Sequence, residues 1–279
     1  MVCKDLVAAL SCYREQALTS SHPLAIGSLR DNIVTIGGMP ITIAGRAEAA
    51  EAMCQMAMAK RGKQGVPHYL TSANGQVIAL CDRDPYVRRL FLASDAIHAD
   101  GMPLVFASRL LTDRPLPERV ATTDLIHDVM AIAPCFGVRS FLLGGAPDVN
   151  ARAVANLRRW YPDVAEIAGH HGFFGIGEEA DIIETINHFA PDILWVGLGV
   201  PKEQEFVLRN HHRLQNVGVI KTSGGLFDFL SGRRRRAPGF LQKIGMEWAW
   251  RMALEPRRLG TRYLNTNLSA LRLLLTRSS

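Results

Sequence analysis

The second half of the chain repeats one unit, and that repetition limits the fold more than any other feature. Residues 140–145 run from Ser140 through Phe141, Leu142 and Leu143 into Gly144 and Gly145. A helix-forming stretch follows at 148–161, and Pro162 closes it. Residues 193–199 give a second apolar run, ending in Gly197 and Gly199, with Pro201 opening the next helix at its favoured first position. A third run, 217–221, leads to Gly224 and Gly225. Parallel strands need a crossover between them, and a helix is the usual one. The repeated units therefore predict an α/β fold, a Rossmann-like and mainly parallel sheet with helices on both faces.

The first half carries the pattern less regularly. Residues 32–44 read as a β-hairpin turned by Gly37, Gly38 and Pro40. Strands are expected at 68–72 and 96–99, and helices at 46–60, 84–92, 102–111 and 123–133, the last capped by Thr122 or Thr123. Beyond the sheet, long helices are expected at 239–254 and 260–275. The run Arg233 to Arg236, flanked by Ser231, Gly232 and Pro238, marks a hinge. Three segments result: a variable lead-in at 1–30, a Rossmann-like catalytic body at 31–232, and a basic helical appendage at 233–279.

Charge supports that division. Residues 233–279 hold ten Arg, one Lys and two Glu, a net of +9 in a chain whose total is +6. The rest is slightly acidic, so the appendage is the part that seeks an anion. Its arginines sit beside Trp248, Trp250, Leu241 and Met252, which suits an acidic membrane surface better than a duplex groove. Apolar residues make up 48% of the chain, yet none of their runs is long enough to span a bilayer. Residues 1–20 contain Asp5, Arg14 and Glu15 and do not read as a secretory signal, so a cytoplasmic location is expected. Cys3, Cys12, Cys54, Cys81 and Cys135 are scattered and odd in number, the pattern of reduced thiols. Adjacent histidines, His170-His171 and His211-His212, point to opposite faces if they lie on a strand, which argues against a metal site.

Open α/β sheets bind ligands at the carboxyl ends of their strands. Ser72 and Asn74, Asp100 and Gly101, Gly144 and Gly145, and Gly224, Gly225 and Asp228 occupy such ends. A carboxylate at Asp100 can take a proton from an attacking hydroxyl, or it can cap the helix that starts at Met102. Gly144-Gly145 can bring a phosphate against backbone N–H groups, or form a plain tight turn. Asp228 can bond a ribose or sugar hydroxyl.

Several segments in one order resemble the WecG/TagA/CpsF glycosyltransferase family. They include Ser72-Ala73-Asn74, Ala99-Asp100-Gly101-Met102, Glu118-Arg119-Val120 with Asp124, and Pro201-Lys202-Glu203-Gln204. Further on come Gly224-Gly225-Leu226-Phe227-Asp228, Arg236-Ala237-Pro238, Glu247-Trp248-Ala249-Trp250-Arg251 and Glu255-Pro256-Arg257-Arg258. The resemblance implies an inverting transfer, without metal or other cofactor, from a UDP-sugar to an undecaprenyl-diphosphate-linked saccharide. It implies Asp100 as general base. Ser72, Asn74, Gly101, Arg119, Asp124, Gly144, Gly145, Glu203, Gln204, Gly224, Gly225 and Asp228 would lie in the substrate site. Arg236, Arg251, Arg257 and Arg258 would meet the diphosphate and the anionic inner membrane surface. The family usually has Thr at the place of Ser72, and Gln before Glu where this chain has Glu203-Gln204. Nucleic acid is not an expected partner, although a non-catalytic basic nucleotide- or nucleic-acid-binding protein is the competing reading. The sequence leaves room for copies of the chain to pair as a homo-oligomer.

Overall fold

The computed structural model describes residues 31–243, 246–254 and 256–279. The lead-in expected at 1–30 falls outside the described residues. A two-stranded antiparallel hairpin comes first, β1 (Ile33–Ile36) with β2 (Met39–Thr42), turned by Gly37 and Gly38 at positive φ. Helix α1 (Arg46–Lys60) follows. The central layer then builds as β3 (His68–Ala73), α2 (Gly75–Arg83), α3 (Pro85–Leu92), β4 (Ala96–Ala99), α4 (Met102–Leu111), α5 (Thr122–Phe136), β5 (Arg139–Gly144) and α6 (Pro147–Trp160). It continues with β6 (Glu166–His170), α7 (Glu179–Phe189), β7 (Ile193–Gly197), α8 (Lys202–Asn210), β8 (Val219–Thr222) and the short α9 (Leu226–Leu230). Helices α10 (Gly239–Lys243), α11 (Glu247–Leu254) and α12 (Pro256–Thr276) end the chain.

Six strands form one sheet in the order β4-β3-β8-β7-β5-β6, and every pairing is parallel. The expected class is therefore the observed one. One face carries Met53, Leu70, Leu125, Leu142 and Trp195 under α1, α5 and α6. The other face divides between a cluster around Tyr69, Phe141, Leu194 and Phe206 and a cluster around Ile36, Ile78, Phe91, Ile97 and Leu104. Strands covered on both faces must be apolar throughout, which is why β5 and β7 read as unbroken apolar runs.

Several local expectations change. Three helices, α2, α7 and the short α9, and the edge strand β6 were not expected. Asn74 starts α2 by accepting the Val77 N–H at 3.2 Å. Ala121, not a threonine, precedes α5, which leaves the Thr122 side chain for another contact. Pro201 stands at the N-cap of α8 after a cis peptide bond, one place earlier than expected. The 239–254 stretch contains two helices, α10 and α11.

The end of the chain returns to the body. Ala270, Leu273 and Leu274 on α12 are buried, and the two leucines join the cluster around Ile36 and Ile78. Thr35 and Ser279 exchange backbone hydrogen bonds at 3.1 and 2.9 Å, and Arg277 pairs with Asp82 at 2.7 Å. No helix among the described residues is long and apolar enough to cross a membrane.

Candidate active site

Because all six strands run the same way, their carboxyl ends share one edge. The connections leaving β3 and β5 head for opposite sides of the sheet, which opens a crevice above the strands between them. Three groups of polar residues collect along this edge.

The first lies on the α1/α5 face. Ser72 on β3 aligns with His98 on β4, and Leu70 aligns with Lys221 on β8, so side-chain alternation puts Ser72, His98 and Lys221 on one side. Lys221 is 0% exposed, and its Nζ donates to Ser72 Oγ at 2.6 Å. Ser72 Oγ also lies 3.2 Å from Thr122 Oγ1, the hydroxyl that does not cap α5. Burial pushes the Lys221 ammonium down to about 7, while the charges of Asp100 and Glu203 work against that fall. His98 is pushed to about 3 by burial and by Lys221, so it is neutral. Asp100 follows β4 directly and is half-buried, with its N–H donated to Ala73 O at 2.8 Å. The N-cap position of α4 is held by Gly101, one place after Asp100.

The second group ties together the loops after β7 and β8. Glu203 Oε2 accepts the N–H of Gly199 at 3.1 Å and of Gly224 at 2.9 Å. Burial raises its carboxyl to about 7, with these two N–H groups pulling the other way. Gln204 is also buried; its Nε2 reaches Glu203 Oε1 at 3.3 Å and Thr71 Oγ1 at 3.5 Å. Thr71 and Thr222 hydroxyls meet at 2.7 Å beside it.

The third group lines a cleft of about 1070 Å³ above β5 and β7. Gly145, Ala146, Phe173, Lys202, Asp228, Arg233 and Arg234 form part of its wall. Gly144 has φ +138, and a Cβ there would lie 2.1 Å from Gly197 O, so only glycine fits. The Gly145 N–H is given to Gly197 O at 3.2 Å, so it is committed inside the turn and is not offered to a phosphate. Asp228, in the first turn of α9, pairs with Arg234 at 3.3 Å. Gly225 is the N-cap of α9.

The residues named from the sequence thus separate. Ser72 contacts Lys221, and the charges of Asp100 and Glu203 act on it. Asp228 and Gly145 line the cleft. Asn74 caps α2, and Gln204 is enclosed. Arg119 turns to Asp124 at 3.1 Å, and Arg236 pairs with the same carboxylate. The side chains of Arg251, Arg257 and Arg258 lie outside the described residues. His170 and His171 do not face apart: His171 lies beyond β6, and the two rings are 4.3 Å apart. No group of three potential metal ligands exists among the described residues. Sequence reasoning missed Lys221, Thr122 and His98. A lone lysine inside the apolar strand β8 was the available signal for the first.

Comparison with known proteins finds named relatives. Curated relatives from Staphylococcus aureus strains MRSA252, NCTC 8325 / PS 47 and COL are each 28% identical over 192 residues, which is 69% of this chain and 74% of theirs. They are named N-acetylglucosaminyldiphosphoundecaprenol N-acetyl-beta-D-mannosaminyltransferase. Such relatives are named as transferases, and the non-catalytic binding-protein alternative is not favoured. The family model for the glycosyl transferase WecG/TagA/CpsF family matches residues 34–279, nearly all of the described chain, and the protein belongs to that family of glycosyltransferases.

Proposed function

We propose that the chain moves a sugar from a UDP-sugar to a saccharide carried on a polyprenyl diphosphate, with inversion, in surface or exopolysaccharide synthesis. The observation that carries this reading is the position of Asp100. It is a carboxylate at the open edge of the sheet, next to the strand end that bears Ser72 and within the field of a buried lysine. The acceptor in the relatives' name, an undecaprenol diphosphate bearing N-acetylglucosamine, supports the acceptor class.

In this reading Asp100 accepts the proton of the acceptor hydroxyl. The freed oxygen attacks the anomeric carbon, the bond from that carbon to the diphosphate breaks, and the electron pair leaves with UDP. A single displacement from the opposite face inverts the centre. The cleft holds the nucleotide: Lys202, Arg233 and Arg234 line it, the N-terminus of α6 begins at Ala146 on its wall, and Asp228 takes a hydroxyl of the ribose or sugar. Arg236, Arg251, Arg257 and Arg258 balance diphosphate charge at the inner membrane surface, where the protein sits peripherally. These arginines, rather than a metal, offset the charge that develops on the leaving group.

The test is UDP release from a panel of UDP-sugars, with and without a synthetic prenyl-diphosphate saccharide, in the presence of EDTA. Acceptor-dependent release from one sugar supports the class and identifies the donor. Asp100→Asn should lower that rate by about 10²–10⁴-fold in a folded protein; an undiminished rate would remove Asp100 as the base.

A further inference from the structure

We propose that Lys221 is a positioning residue of this site, a buried ammonium that orients the Ser72 hydroxyl and holds Asp100 in its charged, proton-accepting form. The inference rests on the reading of Asp100 as the base. Lys221 lies in the middle of the sheet, aligned with Leu70 on β3 and Trp195 on β7. Those two aligned neighbours are apolar, and burying an ammonium beside them costs stability that a methionine would not. What the charge gains there is contact with the candidate site.

In its charged form, held below about pH 7, Lys221 only donates, so in the 2.6 Å contact the Ser72 oxygen then accepts. The Ser72 hydrogen is then left to point either at Thr122 or into the crevice, where a substrate oxygen can take it. The charged form of Lys221 therefore fixes the direction in which Ser72 donates. The titratable groups around the ammonium are Asp100 after β4, Glu203 on α8 and His98 on β4. His98 is neutral, and Glu203 is committed to two backbone N–H groups. Asp100 is the half-buried carboxylate at the open edge. Since its charge favours the lysine's charged form, the lysine favours the ionised form of Asp100 to the same extent.

The experiment compares full-length wild type with Lys221→Met, a change of similar volume that removes the charge. Carbon-13 aspartate labelling, with the Asp100 signal assigned by its loss in Asp100→Asn, reads the carboxyl directly and needs no substrate. The Asp100 signal should titrate at higher pH in Lys221→Met. With the UDP-sugar found active, the acid limb of the kcat/KM profile should move the same way, and kcat/KM at neutral pH should fall about tenfold or more. Simple loosening of the core would lower activity without moving the limb. The reciprocal measurement does not depend on that variant's folding: nitrogen-15 lysine labelling should show Lys221 losing its proton at lower pH in Asp100→Asn. An Asp100 titration unmoved in Lys221→Met, or a Lys221 titration unmoved in Asp100→Asn, overturns the proposal. Full activity in Asp100→Asn instead defeats the base reading and leaves the measured coupling intact.

Discussion

Arg236, the last of the four consecutive arginines, closes on Asp124 in the first turn of α5. Its Nη2 donates to Asp124 Oδ2 at 3.3 Å and its Nη1 pairs with Oδ1, while Arg119 Nη2 reaches Oδ2 at 3.1 Å. Burial alone would raise the Asp124 carboxyl, but Arg236, Arg119 and Arg46 together hold it below the usual carboxylate range. One carboxylate thus ties the start of the basic segment to the body at a point 112 residues away in sequence.

Removing that tie should free the segment before it unfolds the protein. Asp124→Ala is expected to cost about 1–3 kcal/mol, since it leaves two partly buried guanidinium groups short of an acceptor. Trypsin should cut after Arg233 to Arg236 faster in the variant, with the urea midpoint only modestly lower. In wild type the contribution of Asp124 is complete above its unfolded pKa near 3.8 and is lost only as pH falls through the lower folded value. Tryptic protection should therefore persist through the neutral and mildly acidic range. Equal cutting rates in the two proteins would show that the pair does not hold the segment.

How far the sequence led to this site depends on the kind of contact. The strands β4, β5 and β7 were legible because a strand covered on both faces has to be apolar, and the glycines after them were legible because their backbones approach closely. Asp100 was found as a carboxylate at a strand end, while the N-cap position of the following helix fell to Gly101, one place on. Lys221 was passed over because one polar residue in a strand leaves the alternation ambiguous, and its partner Ser72 is 149 residues away. The Arg236–Asp124 pair had no local signal at all. Strand β6 was missed because it is a short edge strand whose Gly169 breaks the apolar run; a Cβ there would meet Asn150 at 2.6 Å.

Glu203 binds two loops at once, so its removal should be felt in both. Glu203→Ala strands the part-buried N–H groups of Gly199 and Gly224 and should cost about 1–3 kcal/mol, whereas Glu203→Gln keeps one acceptor oxygen and should cost less. The pH dependence has a definite sign. The folded carboxyl keeps its proton to about 7, against 4.5 for the ordinary value. Between those values the folded state binds more protons, so this group makes stability fall as pH rises. Urea midpoints across that window should decline less steeply in Glu203→Gln than in wild type; parallel slopes would contradict the assignment.

Two glycines on the same edge should respond differently to alanine. At Gly144 the added Cβ would lie 2.1 Å from a backbone oxygen on β7, and no rotation relieves it. Gly144→Ala should not yield soluble folded protein. Gly224 has φ +54 but open space around a Cβ, so Gly224→Ala meets only the backbone penalty of about 1–2 kcal/mol. That variant should fold with a lower thermal midpoint. Circular dichroism and the soluble yield of each variant decide the matter, and comparable losses at both positions would mean that packing around Gly144 gives way more easily than its geometry allows.

Membrane attachment of the basic segment cannot be tested cleanly by cutting it off. Leu273 and Leu274 are buried against the hairpin and α2 cluster, and Ser279 pairs with Thr35. Deleting residues 233–279 would remove core as well as charge, and each lost leucine alone is worth about 2–5 kcal/mol when truncated to alanine. Substitution separates the two effects. Changing Arg251, Arg257 and Arg258 together to Gln keeps the chain length and the α12 anchor while removing three positive charges. Sedimentation with phosphatidylglycerol vesicles should fall at least several-fold, from about 1 kcal/mol for each basic residue near an anionic surface. Thermal unfolding of the α/β body should stay near wild type, because the buried part of α12 is untouched. Vesicle binding equal to that of wild type would place the docking surface elsewhere on the molecule, whatever the effect on transfer.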